Sequence, residues 1–317
     1  MFLSVEHRLW LEYDSFIRES FIELRLRPKT LAHQTVGSFT LAVGPPTAVH
    51  HYRDWNDNIV HHLTISKFHE RIEVKSRSLV RTHPATPLVA SVADARPAGP
   101  LPYHFHDWLS LEGPLAPTPL LRKFARAARV PARGRLAESV LAYSAQLHRQ
   151  FTYQKNVTRH DSTPDDFLKA GGGVCQDFTH VMLALLRLDG IPCRYVSGYL
   201  HVDSPKEPAQ SHAWIEFHSP THGWVPFDPT HDRDINERYV VVAYGRHYDD
   251  VPPNKGIYRG AARETMRAEV HSTVVPPEPV AMATERVEPI DVPVFQEIPE
   301  RPLTPADLAA IQQQQQQ

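Results

Sequence analysis

The sequence has few of the features that mark a disulfide-stapled, membrane-spanning or nucleic-acid-binding protein. Its 317 residues include two cysteines, Cys175 and Cys193, which is too few for a disulfide framework and fits a reducing compartment. No run approaches the roughly 20 apolar residues of a membrane span, and residues 1–14 do not read as a signal peptide. A formal net charge of −2 gives no electrostatic attraction to nucleic acid or to an anionic membrane. We therefore expect a cytoplasmic protein without nucleic-acid or membrane partners.

What the sequence does contain is the composition of a folded protein, with 41% hydrophobic and 22% charged residues. A chain of this length favours two domains over one. Residues 1–85 hold short runs of alternating apolar and polar residues separated by turn signals, which predicts a small β-sandwich or barrel. Residues 86–116 are rich in proline and alanine and are predicted to be a linker. Residues 271–317 are dense in proline and glutamate and end in six glutamines, which predicts a disordered tail.

The middle of the chain, residues 117–265, combines helical and strand-like patterns. Helices are predicted around 118–128 and 135–150, and a short helix is predicted after Thr163, a suitable N-cap that is followed by proline. The strongly apolar segment 174–188 follows three glycines and predicts a buried helix, and strand-like runs come after it. This order of helices and strands indicates a mixed domain.

Cys175 stands directly after Gly171–Gly173, at the start of the predicted buried helix. Glycines let the backbone turn tightly and let a ligand approach the main chain. A helix N-terminus carries unpaired N–H groups and partial positive charge, which favour a thiolate over a thiol and stabilise an oxyanion. The position therefore suits a reactive cysteine, although a lone cysteine of this kind is more often a packing residue.

A reactive thiol needs a base and a group that orients the base. His212 begins an alternating strand-like run that also contains Trp214, and Asp228 ends a second run just before Pro229, which keeps the aspartate extended. Neighbouring strands are expected to place His212 beside Asp228, with the helix bringing Cys175 against the imidazole. Each of the three residues alone is weak evidence for a catalytic site. Their order, with the cysteine on a helix and the histidine and aspartate on the following strands, is stronger evidence.

Several separated motifs resemble the bacterial transglutaminase-like superfamily. In chain order they are Gly-Val-Cys175-Gln-Asp-Phe, Gly190-Ile-Pro-Cys-Arg194, Ser197-Gly-Tyr199, His212-Ala-Trp214 and Gly223-Trp-Val-Pro-Phe-Asp228-Pro-Thr230. The segment 243–252 resembles the one that closes this domain in bacterial members, and the first 85 residues are similar to their β-rich N-terminal region. Two departures, Cys193 in place of a small residue and His247 in place of a common aspartate, do not touch the three candidate residues.

The resemblance implies an α+β fold, in which a papain-like transglutaminase core packs the cysteine-bearing helix on an antiparallel sheet, behind a small β-sandwich-like N-terminal domain. It implies Cys175 as nucleophile, His212 as base and then acid, and Asp228 as the orienting group. A side chain from before the glycines is expected to join the Cys175 N–H in the oxyanion hole. Tyr153 is the candidate, and a packing aromatic is an equally good interpretation of it. The candidates for the substrate cleft are Gly173, Trp214 and Trp224.

Other groups are weaker candidates. The histidines at 50–51, 61–62 and 104–106 are possible ligand fragments, but the sequence has neither HExxH nor CxxC, so no metal site is predicted from them. Cys175, His212 and Asp228 are also chemically suitable zinc ligands, so a metal-dependent hydrolase is a minor alternative. Asp177 and His180 lie on the nucleophile's helix, where Asp177 is expected to act as a cap more than as a catalytic group.

The predicted reaction is attack of the Cys175 thiolate on a carboxamide or peptide carbonyl, which gives a thioester. Water then resolves the thioester in a protease, amidase or deamidase, whereas an amine resolves it in a transglutaminase, and the fold does not decide between them. The resemblance favours hydrolysis, because bacterial relatives without calcium sites or animal-type accessory domains look more like thiol peptidases. The sequence also has no evident acidic cluster for calcium. The expected partner is a peptide or protein amide, and no cofactor is required. A non-catalytic peptide-binding module is a further interpretation, which the presence of all three residues opposes.

Overall fold

The computed structural model describes residues 1–97, 99–128, 134–203, 210–277 and 284–298. These residues fall into two compact units. The first unit consists of residues 1–81 with the described parts of 201–210 and 252–298, and the second consists of the described parts of 82–200 and 211–251. Strands and helices occur together, which confirms the predicted α+β class.

The first unit is a β-sandwich. Its strands are β1 (Phe2–Ile17), β2 (Glu19–Leu24), β3 (Gln34–Gly44), β4 (Val49–Arg53), β5 (Ile59–Ile65), β6 (His69–Thr82), β14 (Asn254–Arg259), β15 (Glu264–Val274) and β16 (Thr284–Pro289). One sheet has the strand order β15-β1-β6-β3-β16, and the other has the order β14-β2-β5-β4. Nearly all neighbours pair antiparallel, and β16 pairs parallel with β3.

The alternation of apolar and polar residues explains why these strands form. In β1, Leu9, Leu11 and Tyr13 are buried, whereas Trp10 and Glu12 between them are more exposed. Because successive side chains point to opposite faces of a strand, this pattern directs one face of each sheet toward the other. The core between them contains Leu9, Leu11, Tyr13, Ile17, Ile22, Leu24, Leu26, Phe39, Leu41, Val43, Leu63, Ile65, Ile72, Val74 and Ala262.

The end of the described chain differs from the predicted disordered tail. Strand β15 pairs with most of β1, and β16 forms an edge of the same sheet. Beyond β16, the side chain of Val292 is buried, and Phe295 exchanges main-chain hydrogen bonds with Phe68. The prediction of disorder from residue 271 is therefore wrong for the described residues up to 298, because their strand partners lie far away in the sequence. Residues 299–317, which include the glutamines, lie outside the described residues.

The second unit combines helices with a five-stranded sheet. The helices are α1 (His106–Leu109), α2 (Pro119–Ala128), α3 (Leu136–Gln150), α4 (Pro164–Ala170) and α5 (Cys175–Leu188). The strands are β7 (Thr152–Tyr153), β8 (Gly172–Gly173), β9 (Cys193–Leu200), β10 (Gln210–Ser219), β11 (Gly223–Asp228), β12 (Arg233–Asp234) and β13 (Tyr239–Gly245). The sheet has the order β12-β11-β10-β9-β13, and β7 pairs separately with β8.

Helix α5 is the centre of the second unit. Eleven of its fourteen residues are buried, and it contacts α3, α4 and β9. A buried helix with an almost continuous apolar surface is what the segment 174–188 predicts. The helices predicted at 118–128 and 135–150 are confirmed by α2 and α3, and Thr163 is the N-cap of α4, as predicted.

The predicted linker, residues 86–116, is instead part of the second unit. It forms short 3-10 turns and α1, and its apolar residues Val89, Phe105 and Leu115 are buried. The many prolines of this segment prevent long regular elements without preventing burial of the few apolar side chains. The second unit therefore begins at residue 82, earlier than the predicted start at residue 117. At its other end, β14 belongs to the sandwich, although the prediction placed residues up to 265 in the mixed domain.

None of the helices in the described ranges is both long enough and apolar enough to cross a membrane. The cytoplasmic location expected from the sequence stays a prediction.

The role of the last strand can be tested by truncation. We expect a chain that ends at residue 277 to melt at least about 5 °C below a chain that ends at residue 298, because it loses the pairing of β16 with β3 and the buried Val292. Thermal unfolding followed by circular dichroism measures the difference, with the 298-residue chain as the matched control. Equal melting temperatures would contradict a structural role for β16.

Candidate active site

Cys175 is the first residue of helix α5, and its side chain is partly exposed. The N-terminus of the helix is held by Asp177, whose Oδ2 accepts hydrogen bonds from the Val174 N–H (2.8 Å) and the Thr158 hydroxyl (2.7 Å). This confirms the predicted capping role of Asp177. The N–H of the first residue of a helix has no intrahelical acceptor, so the Cys175 N–H is available to a ligand next to its own sulfur.

The two glycines of β8 bring the nucleophile close to β7. A Cβ added to Gly172 would lie 2.1 Å from the Thr152 carbonyl oxygen, and one added to Gly173 would lie 2.3 Å from Asp177 Oδ2. Gly173 is buried, and its missing side chain leaves room for Asp177. Its role as a cleft residue stays a prediction. The close approach pairs Tyr153 with Gly173, two residues before Cys175.

Asp228 is the last residue of β11. Its carboxylate is fully buried, and several neighbouring groups donate hydrogen bonds to it. Its Oδ2 accepts from His212 Nε2 (2.8 Å), His231 Nδ1 (2.7 Å) and the Tyr239 hydroxyl (2.6 Å), and its Oδ1 accepts from the Thr230 N–H (2.8 Å). Burial raises the pKa of Asp228, but the charge and hydrogen bonds of His212 and His231 outweigh burial and hold that pKa well below its usual range. Asp228 is therefore an anion that the surrounding donors compensate.

The His212 imidazole, on β10, lies between Asp228 and Cys175. Its Nε2 faces Asp228, and the Cys175 side chain is its other hydrogen-bond partner, so Nδ1 is the nitrogen left for the thiol. Burial lowers the pKa of His212, but the charge and hydrogen bond of Asp228 outweigh burial and raise it well above its usual value, with a smaller contribution from Cys175. The structure thus brings together the three residues that the sequence singles out. The arrangement favours a protonated imidazole beside the sulfur.

Trp214 lies behind His212 and is fully buried. Its ring is stacked at 6.1 Å from the imidazole and meets Tyr239 edge-on at 5.4 Å. It also fills the space beside Gly198, where a Cβ would lie 2.5 Å from the indole. This burial differs from the prediction of Trp214 as a cleft residue, because a strand with both faces covered leaves no open face for it. The indole instead restricts the orientation of the His212 ring.

Three tyrosines lie near the sulfur of Cys175. Burial raises the pKa of Tyr153, Tyr195 and Tyr248, and the nearby charge of Cys175 contributes to each shift. Tyr153 is the most exposed of them, at 45%, whereas Tyr195 is buried. A half-exposed phenol near the nucleophile is compatible with the predicted oxyanion role of Tyr153, and that role stays a prediction. No local pattern in the sequence distinguished Tyr195 or Tyr248, which come from β9 and from the turn after β13.

Trp224 lies at the other end of β11 from Asp228, about 13 Å along the strand. It packs edge-on against Trp108 at 5.5 Å and under the Arg194 guanidinium at 4.4 Å. These contacts belong to a partly buried aromatic group, so Trp224 does not adjoin the three clustered residues. Its role as a cleft residue stays a prediction.

The remaining candidates on or near α5 have structural roles. His180 is buried, its Nε2 accepts the Tyr248 N–H at 3.2 Å, and burial lowers its pKa to about 3, which keeps it neutral. Cys193 is also fully buried, and burial raises the pKa of its thiol to about 11. This confirms the interpretation of Cys193 as a small buried hydrophobe and leaves Cys175 as the more accessible thiol.

His231 is the residue of this cluster that the sequence analysis missed. It stands three positions after Asp228, within Asp-Pro-Thr-His, and its ring is 5.1 Å from that of His212. A histidine at this short distance from the aspartate is the signal that would have identified it. His212, Asp228 and His231 offer three potential metal ligands within 4.8 Å. The Asp228 carboxylate, however, also accepts hydrogen bonds from Tyr239 and the Thr230 N–H, and the other nitrogen of His212 faces Cys175.

Comparison with known families identifies both parts of the chain. The profile of the transglutaminase-like superfamily matches residues 122–229, which contain α3–α5 and β7–β11. The profile of the bacterial transglutaminase-like N-terminal region matches residues 3–81, which are the first strands of the sandwich.

Individual relatives agree with these matches. An uncharacterised protein of Mycobacterium leprae is 33% identical over 292 residues, which cover 86% of this chain and 98% of that protein. A protein-glutamine gamma-glutamyltransferase of Pseudomonas aeruginosa is 28% identical over 138 residues, 39% of this chain and 20% of that enzyme. A solved structure from Cytophaga hutchinsonii, of a protein provisionally named a cysteine protease, has a TM-score of 0.70 at 20% identity and covers 88% of this chain and 93% of that one. At this level of identity, the similarity to the Cytophaga hutchinsonii structure shows a shared fold and nothing about activity.

The His212–Asp228 pair predicts a pH-dependent stability. Asp228 and His212 titrate near pH 3.9 and 6.5 when unfolded, and folding lowers the first pKa and raises the second. The pair therefore stabilises most between these values, less as the pH falls through the Asp228 range, and less as it rises above about 6.5 toward the raised pKa of His212. We expect Asp228→Asn to lower the melting temperature by at least about 2 °C more at pH 5 than at pH 9.

Thermal unfolding at both pH values measures this difference. Asp161→Asn, which removes an exposed carboxylate of the same unit, is the control and should show similar small effects at both values. A loss in Asp228→Asn that is equal at pH 5 and pH 9 would exclude a stabilising ion pair with His212.

Proposed function

This chain belongs to the transglutaminase-like superfamily, a family of cysteine-dependent enzymes, and we propose that it is a thiol-dependent amide-bond hydrolase. Cys175 is the nucleophile, His212 the base and then the acid, and Asp228 the orienting group. One observation carries the proposal: the His212 ring engages Asp228 through Nε2 and Cys175 through its other side, inside a buried site. This is the relation among nucleophile, base and orienter that acyl transfer requires.

Before the reaction, the Cys175 thiol gives its proton to His212 Nδ1, and Asp228 stabilises the resulting imidazolium through Nε2–H. In the first half of the reaction, the Cys175 thiolate attacks the carbonyl carbon of the amide. The tetrahedral oxyanion then collapses, the C–N bond breaks, and His212 returns the proton to the leaving amine. The products are a thioester on Cys175 and a free amine or ammonia.

In the second half, water attacks the thioester carbonyl while His212 accepts one of its protons. The C–S bond breaks, the carboxylic acid leaves, and the proton returns to the Cys175 sulfur. Every step uses groups of the chain and water, so the reaction requires no cofactor. The Cys175 N–H at the start of α5 is the first donor to the oxyanion, and the Tyr153 hydroxyl is the second candidate donor because Tyr153 lies near Cys175.

Transfer to an amine is the second candidate function. The thioester is common to both reactions, and the gamma-glutamyltransferase of Pseudomonas aeruginosa is 28% identical to this chain over 138 residues. In this alternative a primary amine replaces water in the second half-reaction. The substrate in either case is a peptide or protein amide. A module that binds peptides without chemistry would have no requirement for the buried His212–Asp228 pair.

Thiol labelling tests the proposed nucleophile. We expect iodoacetamide to modify Cys175 at pH 6 at least about ten times faster than it modifies a free cysteine peptide, because the imidazolium of His212 stabilises the thiolate. Mass spectrometry across pH 5 to 9 locates and quantifies the modified cysteine. Cys193, which is fully buried, serves as the internal control and should stay unmodified. Labelling of Cys175 at the rate of a free thiol, unchanged in His212→Ala, would leave the peptide-binding module as the better account.

Turnover of amide substrates separates the two reactions. Fluorogenic peptide amides and glutamine-containing peptides are incubated with and without a primary amine, and the products are identified by mass spectrometry. We expect the free acid as the main product even with the amine present, and a loss of at least about a thousandfold in Cys175→Ala. Cys193→Ala is the matched control and should keep the activity. An amine adduct as the main product would favour the transferase.

A further inference from the structure

Four histidines form two cross-strand pairs in the sandwich unit. Strands β4 and β5 place His50 opposite His62 and His51 opposite His61. Because side chains alternate along a strand, the two pairs lie on opposite faces of this sheet. His61 has the same orientation as Leu63, a core residue of the sandwich, so the His51–His61 pair faces the other sheet.

A carboxylate from the other sheet meets this pair. Strands β4 and β16 are edge strands of the two sheets, and Glu285 of β16 points toward the histidines. Its Oε1 lies 2.6 Å from His61 Nε2 and 4.0 Å from His51 Nδ1. All three ligand atoms lie within 4.8 Å of one another. The site therefore joins ligands from both sheets at the edge of the sandwich.

The surroundings hold two of the three ligands in place. The His61 ring is fully buried and stacks on Phe39 at 5.3 Å. Its Nε2 is hydrogen-bonded to Glu285 Oε1, and its Nδ1 is buried without a hydrogen-bond partner among the described residues. A cation that replaces the proton between Nε2 and Oε1 leaves the remaining ring proton on Nδ1, where no neighbour opposes it. Arg27 pairs with the second carboxylate oxygen of Glu285 at 3.0 Å and leaves Oε1 toward the histidines.

We propose that His51 Nδ1, His61 Nε2 and Glu285 Oε1 bind a divalent transition-metal cation, with Zn²⁺ as the best fit. Tetrahedral zinc with bonds near 2.0–2.1 Å places its ligand atoms about 3.3 Å apart. The two contacts of Glu285 with the histidines bracket that separation, and the side chain of His51, which is 60% exposed, has the freedom to adjust. Two imidazoles and one carboxylate select Zn²⁺, Co²⁺ or Ni²⁺ over Mg²⁺ and Ca²⁺, and water completes the coordination.

The metal would clamp β16 to the edge of the sandwich. A cation that binds the folded chain but not the unfolded chain raises the free energy of unfolding. The positive charge of Arg27 opposes the cation, so we expect a dissociation constant in the micromolar range. The role is structural and independent of the reaction proposed for Cys175.

Metal titration of the full chain tests the site. After treatment with chelator and its removal, Zn²⁺ binding is measured by calorimetry and Co²⁺ binding by its visible absorption, which is intense for tetrahedral coordination. We expect one equivalent to bind in the wild type and the affinity of that equivalent to fall at least about tenfold in His51→Ala and in Glu285→Gln. His50→Ala, on the same strand but the opposite face, is the matched control and should change the affinity less than about twofold.

Thermal unfolding supplies a second readout that does not depend on stoichiometry. At the same Zn²⁺ concentration, the melting temperature should rise less for His51→Ala than for the wild type and His50→Ala. His51 is 60% exposed, so its replacement by alanine leaves the core of the sandwich intact. Unchanged affinity in His51→Ala and Glu285→Gln would overturn the proposal. So would zinc binding that His51→Ala preserves and His231→Ala abolishes, since the metal would then lie at the His212–Asp228–His231 cluster.

Discussion

The second unit is organised around the buried carboxylate of Asp228. A carboxylate without solvent is costly unless donors surround it, and Asp228 receives hydrogen bonds from two histidines, a tyrosine and the main chain of the turn that follows it. These partners come from β10, from the turn after β11 and from β13. Satisfying the one carboxylate therefore fixes the position of His212 and, through His212, the environment of the Cys175 sulfur.

Helix α5 supplies the other half of the arrangement. Asp177 closes its first turn, and Gly172 and Gly173 let β7 approach so closely that a side chain at either position would collide with a neighbour. The start of α5 is thereby held close to β7, and Tyr153 of β7 pairs with Gly173, two residues before the Cys175 nucleophile. Rigid placement of this kind is what acyl transfer demands, because the attacking atom, the base and the oxyanion donors must act on one carbonyl.

The sandwich depends on a different constraint, the pairing of distant segments. Strands β15 and β16 come from the end of the described chain, yet they lie beside β1 and β3 from its beginning. Composition predicted disorder there because proline and glutamate are frequent and local apolar runs are short. The neighbouring strands provide the missing hydrogen-bond partners and apolar surface. The proline-rich segment 86–116 is likewise ordered by distant contacts. Its few apolar side chains are buried within the second unit, so the segment is not a linker.

By itself, the sequence determined the class of fold, the helices α2 to α5 and the residues Cys175, His212 and Asp228, because hydrophobic periodicity, capping residues and local motifs are encoded within short segments. Only the tertiary structure decided that Trp214 and Gly173 are buried, that His231 and Tyr239 share the Asp228 carboxylate, and that Glu285 meets two histidines of another strand. Those contacts join residues on different strands. Burial and hydrogen bonding across a sheet depend on which strands become neighbours, and local pattern does not carry that information.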